Sequence, residues 1–301
     1  MTEPLFVKFQ DGRQLIWDAS SLDDAFKCLH YYQVRDLARW QPQKKATSAS
    51  FGTLLHSCLE TYDRALLAST RESHGDRVAE ATEQALQEAL VRGLELKESI
   101  DSARTKETLV RAVVWYAEQF KNDPYETATL PDGTAAVETR FELPFLDTGL
   151  RISGRIDRLV HYRGDLYVVD RKSTKKSLNI SYLNEFTGAV QTYTYYWAAM
   201  QMGMKPRGLL YEHCQTMVSG CRWHRQTVEL FPANITEYEA DMTDLIRRVE
   251  IAHETGVWPR NRASCNNYGG CALREICNAL PSQRHRYFTD LFAQVPYVPK
   301  P

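Results

Sequence analysis

Gly154-Arg-Ile-Asp157 and Val168-Val-Asp170-Arg-Lys172 are the two stretches on which the reading of this chain turns. The run from Arg151 to His161 has strand character, and so does the run from Asp165 to Lys172. Between them Tyr162-Arg163-Gly164-Asp165 carries a turn signature, with Gly164 free to take positive φ. A hairpin centred between Arg163 and Gly164 puts Asp157 directly opposite Asp170. Like charges in opposed positions destabilise a sheet, so the pair makes sense with a cation between the two acids. Lys172, two residues beyond Asp170, points to the same face. Asp170 also follows Leu166-Tyr-Val-Val169, a buried-strand run, where an acid costs free energy unless it is paired or binds metal. Two carboxylates and an ammonium on one face outline a divalent-metal hydrolysis site. The bland alternative is a set of solvated strand-end charges.

The rest of the chain bounds this reading. Its 301 residues suffice for one large domain or two small ones, and 43% hydrophobic with 25% charged residues is ordinary for a soluble globular protein. No apolar run approaches a membrane span. The start Met1-Thr-Glu-Pro-Leu-Phe6 lacks the basic and apolar regions of a signal peptide, so a cytoplasmic protein without membrane contact is expected. A net charge of −1 excludes a uniformly basic nucleic-acid binder. The segment from Arg151 to Lys176, however, holds eight Lys and Arg against three Asp, so the charge that can meet phosphates is concentrated around the candidate metal site.

Residues 5 to 17 read as a short strand or hairpin around Asp11-Gly12. Asp18-Ala-Ser-Ser21 reads as a helix start, with Ser21-Leu-Asp-Asp24 as an Asp-type capping box and a helix from Leu22 to about Ala38. A helix from Phe51 to about Ala68 carries His56. Residues 75–121 are rich in helix formers and predict two or three helices. Strands follow at about 134–146, 151–161 and 165–172, then a helix from about Leu183 to Met202, strands at 207–217 and 222–230, and a helix from about Asn234 to Thr255. The tail from Gly256 reads as irregular. The core order, helix, three strands, helix, strand, predicts an α/β (mixed α+β) fold: an αβββαβ core with a mixed central sheet, helical cover and a helical insertion.

With these elements in place the chain resembles the PD-(D/E)XK nuclease superfamily, in the branch of the RecB and AddB nuclease domains and the small CRISPR-adaptation nucleases. The resemblance rests on five motifs in order: Ser20-Ser-Leu-Asp-Asp-Ala-Phe-Lys-Cys28, Gly52-Thr-Leu-Leu-His56, Gly154-Arg-Ile-Asp157, Asp170-Arg-Lys172 and Gln191-Thr-Tyr-Thr-Tyr195. It covers roughly residues 18–60 and 135–280 of a single nuclease domain with a catalytic core at 134–255. The helical stretch between the two parts matches nothing in the family pattern. The resemblance implies a restriction-endonuclease-like fold and phosphodiester hydrolysis. His56, Asp157, Asp170 and the backbone carbonyl of Arg171 would hold Mg²⁺ or Mn²⁺, and Lys172 would hold or polarise the attacking water. Gln191 and Tyr195, one helical turn apart, would face the site. The family often has an acid where Glu138 stands, before the hairpin; that residue could support the metal shell or contact a basic neighbour.

Seven cysteines in a chain without an export signal argue against a disulfide framework. Cys265, Cys271 and Cys277 are separated by six residues each, about 600° on an α-helix, so they do not share a helix face and fit a loop wrapped around something. Four thiolates suit an iron–sulfur cluster, with Cys28 as the fourth if the two ends of the chain meet. Iron–sulfur members of the resembled branch use this one-plus-three arrangement, with a shorter Cys-x-x-Cys step than here. Zinc on four cysteines and free buried thiols are the competing readings.

No Gly-x-x-x-x-Gly-Lys-Ser/Thr loop accompanies the motifs, which predicts a stand-alone enzyme. By resemblance it is a metal-dependent DNA nuclease, an exonuclease of recombination or repair acting on single strands or free ends. The alternatives are a CRISPR-type spacer-processing nuclease that works with a recombination or CRISPR-adaptation partner protein, and a non-catalytic DNA-binding module with a structural cluster. The 75–121 insertion, flanked on both sides by site-bearing segments, is expected over or beside the active site, with Trp115 and Tyr116 as stacking surfaces for bases or as packing within the insertion.

Overall fold

A computed structural model describes residues 9–10, 12–43, 48–96, 103–130 and 132–295. Along the chain, the short strands β1 (Phe9–Gln10), β2 (Arg13–Gln14) and β3 (Ile16–Asp18) precede helices α1 (Ala19–Lys27) and α2 (Leu29–Tyr32), a π-helical turn over Gln33–Leu37 and strand β4 (Trp40–Pro42). Three longer helices follow, α3 (Ser48–Ala68), α4 (His74–Arg92) and α5 (Lys106–Gln119). Next come β5 (Glu126–Thr127), β6 (Val137–Phe145), β7 (Leu150–Tyr162) and β8 (Asp165–Thr174), then α6 (Ile180–Thr187) and α7 (Val190–Gln201). Strands β9 (Gly208–Met217) and β10 (Gly220–Glu229) lead to α8 (Pro232–Thr255), and the tail holds α9 (Arg274–Asn278), α10 (Arg284–Leu291) and β11 (Phe292–Gln294). None of the described helices is long and apolar enough to cross a membrane. The chain divides into two compact units: residues 1–45, 142–154 and 236–301 form one, and residues 46–141 and 155–235 the other.

The second unit is built on strands in the order β10-β9-β8-β7, with β5 and β6 also on β7. β7 and β8 are antiparallel, β8 and β9 parallel, and β9 and β10 antiparallel, so the sheet is mixed as the element order predicts. The β7–β8 turn follows from its residues. Arg163 and Gly164 both have positive φ, 51° and 87°, the combination that a two-residue hairpin of matching twist requires. This pins Tyr162 opposite Asp165 and Arg158 opposite Val169. One step further the same register would bring Asp157 opposite Asp170, and there the ladder stops.

Helices cover both faces of these strands. On one face α3, α4 and α5 share a core with Cys214, Cys221 and Trp223. Ala81, Ala85 and Ala89 form a fully buried stripe along α4; small side chains one turn apart let helices approach closely. The other face carries Tyr182 and Phe186 of α6 against the rings of Tyr211 and His213. The segment expected as one helix from Leu183 to Met202 is two. Gly188 ends α6, and α7 begins afresh at Val190, with the Thr192 hydroxyl bonded to the Phe186 carbonyl across the break.

In the first unit, β3 runs parallel to the start of β7, with Ile16 beside Arg151, a strand that the reading of residues 5–17 as a hairpin did not separate from β1 and β2. Residues 5–8 and Asp11 of that reading lie outside the described residues. The capping box sits one turn earlier than expected: Asp18 accepts from the Ser21 N–H and the Ser21 hydroxyl accepts from the Asp18 N–H. The helix expected to reach Ala38 breaks at Cys28, which is extended (φ −168°, ψ 116°). The tail takes over the hydrogen bonds lost there. The Lys27 carbonyl accepts from the Asn261 and Ser264 side chains, and the His30 N–H donates to the Pro259 carbonyl. β11 pairs antiparallel with β4, and Val34, Leu273, Ile276 and Phe292 form a small core with Cys271 and Cys277 at its border. The tail is thus more regular than its composition suggests, because it completes the packing of the N-terminal helices.

Candidate active site

Strand alternation sets the site. Asp170 and Lys172 point to one face of β8 and Arg171 to the other. Lys172 Nζ lies 2.6 Å from Asp170 Oδ2. Gln191, in the first turn of α7, bridges the pair: its Oε1 accepts from Lys172 Nζ at 2.8 Å and its Nε2 donates to Asp170 Oδ1 at 3.2 Å. The break before α7 thus delivers Gln191 to both charged groups. Burial pushes the Asp170 carboxyl above the usual range against the pull of Lys172, and neighbouring Asp157 adds to the rise.

Asp157 is 6% exposed. Where the β7–β8 ladder stops, its Oδ2 accepts the Arg171 N–H at 2.7 Å, so the side chain occupies a donor that would otherwise serve the ladder. His56 approaches the same peptide from α3: Nδ1 is 3.3 Å from Asp157 Oδ1 and Nε2 is 3.0 Å from the Arg171 carbonyl oxygen. Gly52, one turn before His56, explains how α3 comes so near, since a Cβ there would stand 3.3 Å from Ser173 Oγ on β8. Burial opposes charge on both members of the pair, but each stabilises the other. Asp157 is held below the usual carboxylate range by His56 and the Arg171 N–H, and His56 is raised by Asp157.

Glu138 completes this corner. Ligand atoms of His56, Glu138 and Asp157 all lie within 4.8 Å of one another. Glu138 has φ +53° within β6, a left-handed conformation that a non-glycine residue holds only when its surroundings fix it. Its Oε2 is 2.5 Å from Arg155 Nε, so the two readings of this residue, metal shell and basic neighbour, meet in one side chain. The contact lacks hydrogen-bond geometry. Burial and Asp157 push the Glu138 carboxyl up to about 7. Two carboxylates and an imidazole at this spacing are a hard, oxygen-rich donor set that fits Mg²⁺ or Mn²⁺. Asp170 stands outside this three-residue group, with Lys172 and Gln191, and the Arg171 carbonyl is in hydrogen-bond contact with His56.

Tyr195 is 8% exposed and packs edge-on to Phe141, 6.0 Å between centroids. Tyr116 is 1% exposed, so it is no stacking surface. The described part of the insertion does not cover Asp170 and Lys172; α5 lies on the opposite face of the sheet, where the Tyr116 hydroxyl meets Glu212 and Arg171. Trp115 packs over Gly220 at the β9–β10 turn so closely that a Cβ there would be 2.2 Å from its ring.

The sequence reading missed what lies behind the site. Arg171 donates to Glu212 at 2.9 Å and Asp63 at 2.7 Å. Arg225 bonds Asp123 and Glu212 at 2.6 to 2.9 Å. Arg158 reaches Thr127 and the Tyr125 carbonyl, 3.5 Å from Asp63. Glu212 is fully buried, yet these arginines hold its carboxyl well below the usual range. The available signal was the pattern of Arg158, Arg171, Glu212 and Arg225 inside strands otherwise apolar, since a buried charge requires a partner.

In the first unit the four cysteines gather. Asn261 N–H donates to Cys28 Sγ, and the Cys271 N–H bonds the Cys265 carbonyl. Cys265 Sγ in turn lies 3.8 Å from the Asn261 carbonyl oxygen, Cys271 and Cys277 border the same small core, and burial pushes the Cys271 thiol up.

A sequence model described as the PD-(D/E)XK nuclease superfamily matches residues 17–278. Among solved structures, a protein of Eubacterium rectale titled "Putative exonuclease" aligns at 12% identity over 88% of this chain and 91% of its own, with a TM-score of 0.49. A protein titled SSO0001 aligns at 16% identity over 79% of this chain and 98% of its own, with a TM-score of 0.32. Likenesses at this level do not bear on function. No curated protein matches the chain.

Proposed function

Because the chain belongs to the PD-(D/E)XK nuclease superfamily, we propose that it is a metal-dependent DNA nuclease, an exonuclease that hydrolyses phosphodiester bonds from free or single-stranded ends. The observation that carries this reading is the corner formed by His56, Glu138 and Asp157, with ligand atoms within 4.8 Å of one another, joined through the Asp157–Arg171 N–H bond to the strand that carries the Asp170–Lys172 pair. His56, Glu138 and Asp157 would hold Mg²⁺ or Mn²⁺, with Asp170 and the Arg171 carbonyl at its edge. When bound, the ion supplies Lewis-acid stabilisation of charge on the phosphate and lowers the pKa of a bound water.

Lys172 has the chemistry to pair with a phosphate oxygen or to hold the attacking water. Gln191 keeps it there: by accepting from the ammonium and donating to Asp170, it fixes the lysine rotamer before substrate arrives, and such preorganisation is what makes electrostatic stabilisation effective. Tyr195, one helical turn after Gln191 on the same face of α7, would face the site with it. The ordered motifs support membership of the RecB and AddB branch and a role in DNA recombination or repair, alone or with a recombination or CRISPR-adaptation partner.

Cys28, Cys265, Cys271 and Cys277 supply the four thiolates that a [4Fe–4S] cluster takes, with tetrahedral zinc as the competing occupant. Iron and sulfide analysis of protein purified without oxygen tests this; stoichiometric zinc without iron would replace the cluster.

The nuclease reading is tested with end-labelled linear single- and double-stranded DNA and covalently closed circles, in Mg²⁺, Mn²⁺ or EDTA. Metal-dependent, progressive loss of linear DNA with circles spared is expected. Cutting of closed single-stranded circles would make the enzyme an endonuclease, and no cleavage with either metal would remove the reading.

A further inference from the structure

The buried charges behind β8 do more than fill space. Replacing a buried ion network by apolar residues is often neutral or stabilising, so stability alone does not account for this one. Its geometry supplies another role. The Arg171 peptide faces the site with both polar atoms, its N–H on Asp157 Oδ2 at 2.7 Å and its carbonyl at His56 Nε2, 3.0 Å away. The Arg171 guanidinium, 2% exposed, points the other way, to Asp63 Oδ2 at 2.7 Å, Glu212 Oε2 at 2.9 Å and the Tyr116 hydroxyl at 3.2 Å.

Two of these contacts come from one helix. Asp63 stands seven residues after His56 on α3, two turns on and on the same face. The helix therefore grips Arg171 twice, at its carbonyl through His56 and at its guanidinium through Asp63. Glu212 grips it from the side, since it is the cross-strand neighbour of Arg171 on β9. A shift of the guanidinium would move the peptide that sets the distance between His56 and Asp157.

We infer that Arg171, held by Asp63 and Glu212, is a positioning residue that presets His56 and Asp157 for a divalent cation. This rests on the metal-site reading above and deepens it. Tyr116 brings the insertion into the same device, so helix α5 acts on the site from behind the sheet.

The experiment is Mn²⁺ titration calorimetry of the wild type, Arg171→Lys and Asp63→Asn, with thermal melts and cleavage rates across Mn²⁺ concentrations. Lysine keeps the charge but loses the two-point fork; asparagine keeps the shape but loses the ion pair. Each folded variant should bind Mn²⁺ roughly tenfold or more weakly, the usual effect of removing an outer partner of a ligand. The Mn²⁺ needed for half-maximal cleavage should rise in step. A lower melting temperature with unchanged Mn²⁺ affinity, in either variant, would assign the network to stability alone and overturn the inference, as would failure of both variants to fold. Absence of Mn²⁺ binding by the wild type itself would instead remove the metal-site reading, and the positioning role with it.

Discussion

Strand β8 carries charge on both faces, and the two faces handle it in opposite ways. Behind the strand, Arg158, Arg171 and Arg225 meet Asp63, Asp123 and Glu212, three cations against three acids, and each guanidinium has at least one carboxylate within 4.0 Å. In front, Asp157, Asp170 and Glu138 meet Lys172, His56 and the half-exposed Arg155, yet burial still holds Asp170 and Glu138 above their ordinary pKa. The rear face is balanced by the chain itself. The front face leaves two buried carboxyls raised despite their partners, and a cation would relieve them. A buried network whose charges satisfy one another serves geometry, whereas one that leaves carboxyls with raised pKa is poised to take up a ligand.

The largest expected difference between the faces is in activity. Asp157→Ala, Asp170→Ala and Lys172→Ala should each nearly abolish cleavage, with Lys172→Ala lowering the rate by about 10²–10³-fold, while circular dichroism melts stay near those of the wild type. Cleavage at the wild-type rate by any of the three would place the chemistry elsewhere.

Stability should show the reverse pattern. Glu212→Ala leaves the Arg171 and Arg225 guanidiniums facing each other without their shared acid, and breaking a buried network in this way costs about 3–5 kcal/mol. Urea denaturation measures it. A loss no greater than that of an exposed ion pair, about 0–1 kcal/mol, would mean that the rear network contributes little.

The pH dependences should have opposite signs. Glu212 has a depressed folded pKa, so its contribution is complete above the ordinary glutamate value of about 4.3 and is lost as pH falls toward the folded value. Glu138 has a folded pKa pushed up to about 7; in metal-free protein its contribution is therefore present below about 4.3 and lost as pH rises through 7. Subtracting melts of Glu138→Gln from those of the wild type in EDTA should isolate a loss of stability between these values, and Glu212→Gln should leave that window unchanged. A flat difference would contradict the burial argument for Glu138.

The smallest effect is expected at Trp115. With Tyr116 buried and Trp115 lying on Gly220, Trp115→Ala should leave affinity for single-stranded DNA within a factor of two by fluorescence anisotropy. A weakening equivalent to about 1–3 kcal/mol, the size of a lost base stack, would put the strand on the insertion after all.

How far the sequence spoke for the structure follows from the range of the interactions involved. The β7–β8 hairpin was legible because the Arg163-Gly164 turn and strand alternation are local, and the register they imply is the one found. The contact of Gln191 with Lys172 and Asp170 joins two motifs that the sequence shows only apart. The break at Cys28 was not legible, since its missing helical bonds are supplied by Pro259, Asn261 and Ser264 from the far end of the chain. Glu138 was visible as an acid at the right place, but its left-handed backbone was not. The rear network was hidden because Asp63, Asp123, Arg158, Arg171, Glu212 and Arg225 come from six separate segments, and no short pattern links them. The face that the insertion takes was not legible either: both its flanks lead to site residues, and Trp223, Cys214 and Cys221 draw α5 onto the face behind the site.

The central claim is that the front face of β8 cleaves DNA with a bound divalent cation. It is tested most directly by single-turnover cleavage of an end-labelled single strand by wild type and Asp170→Asn, each in Mn²⁺ and in EDTA. The account predicts cleavage by the wild type in Mn²⁺ alone and none by Asp170→Asn in either condition. Equal cleavage by the two proteins in Mn²⁺, or undiminished wild-type cleavage in EDTA, would contradict it.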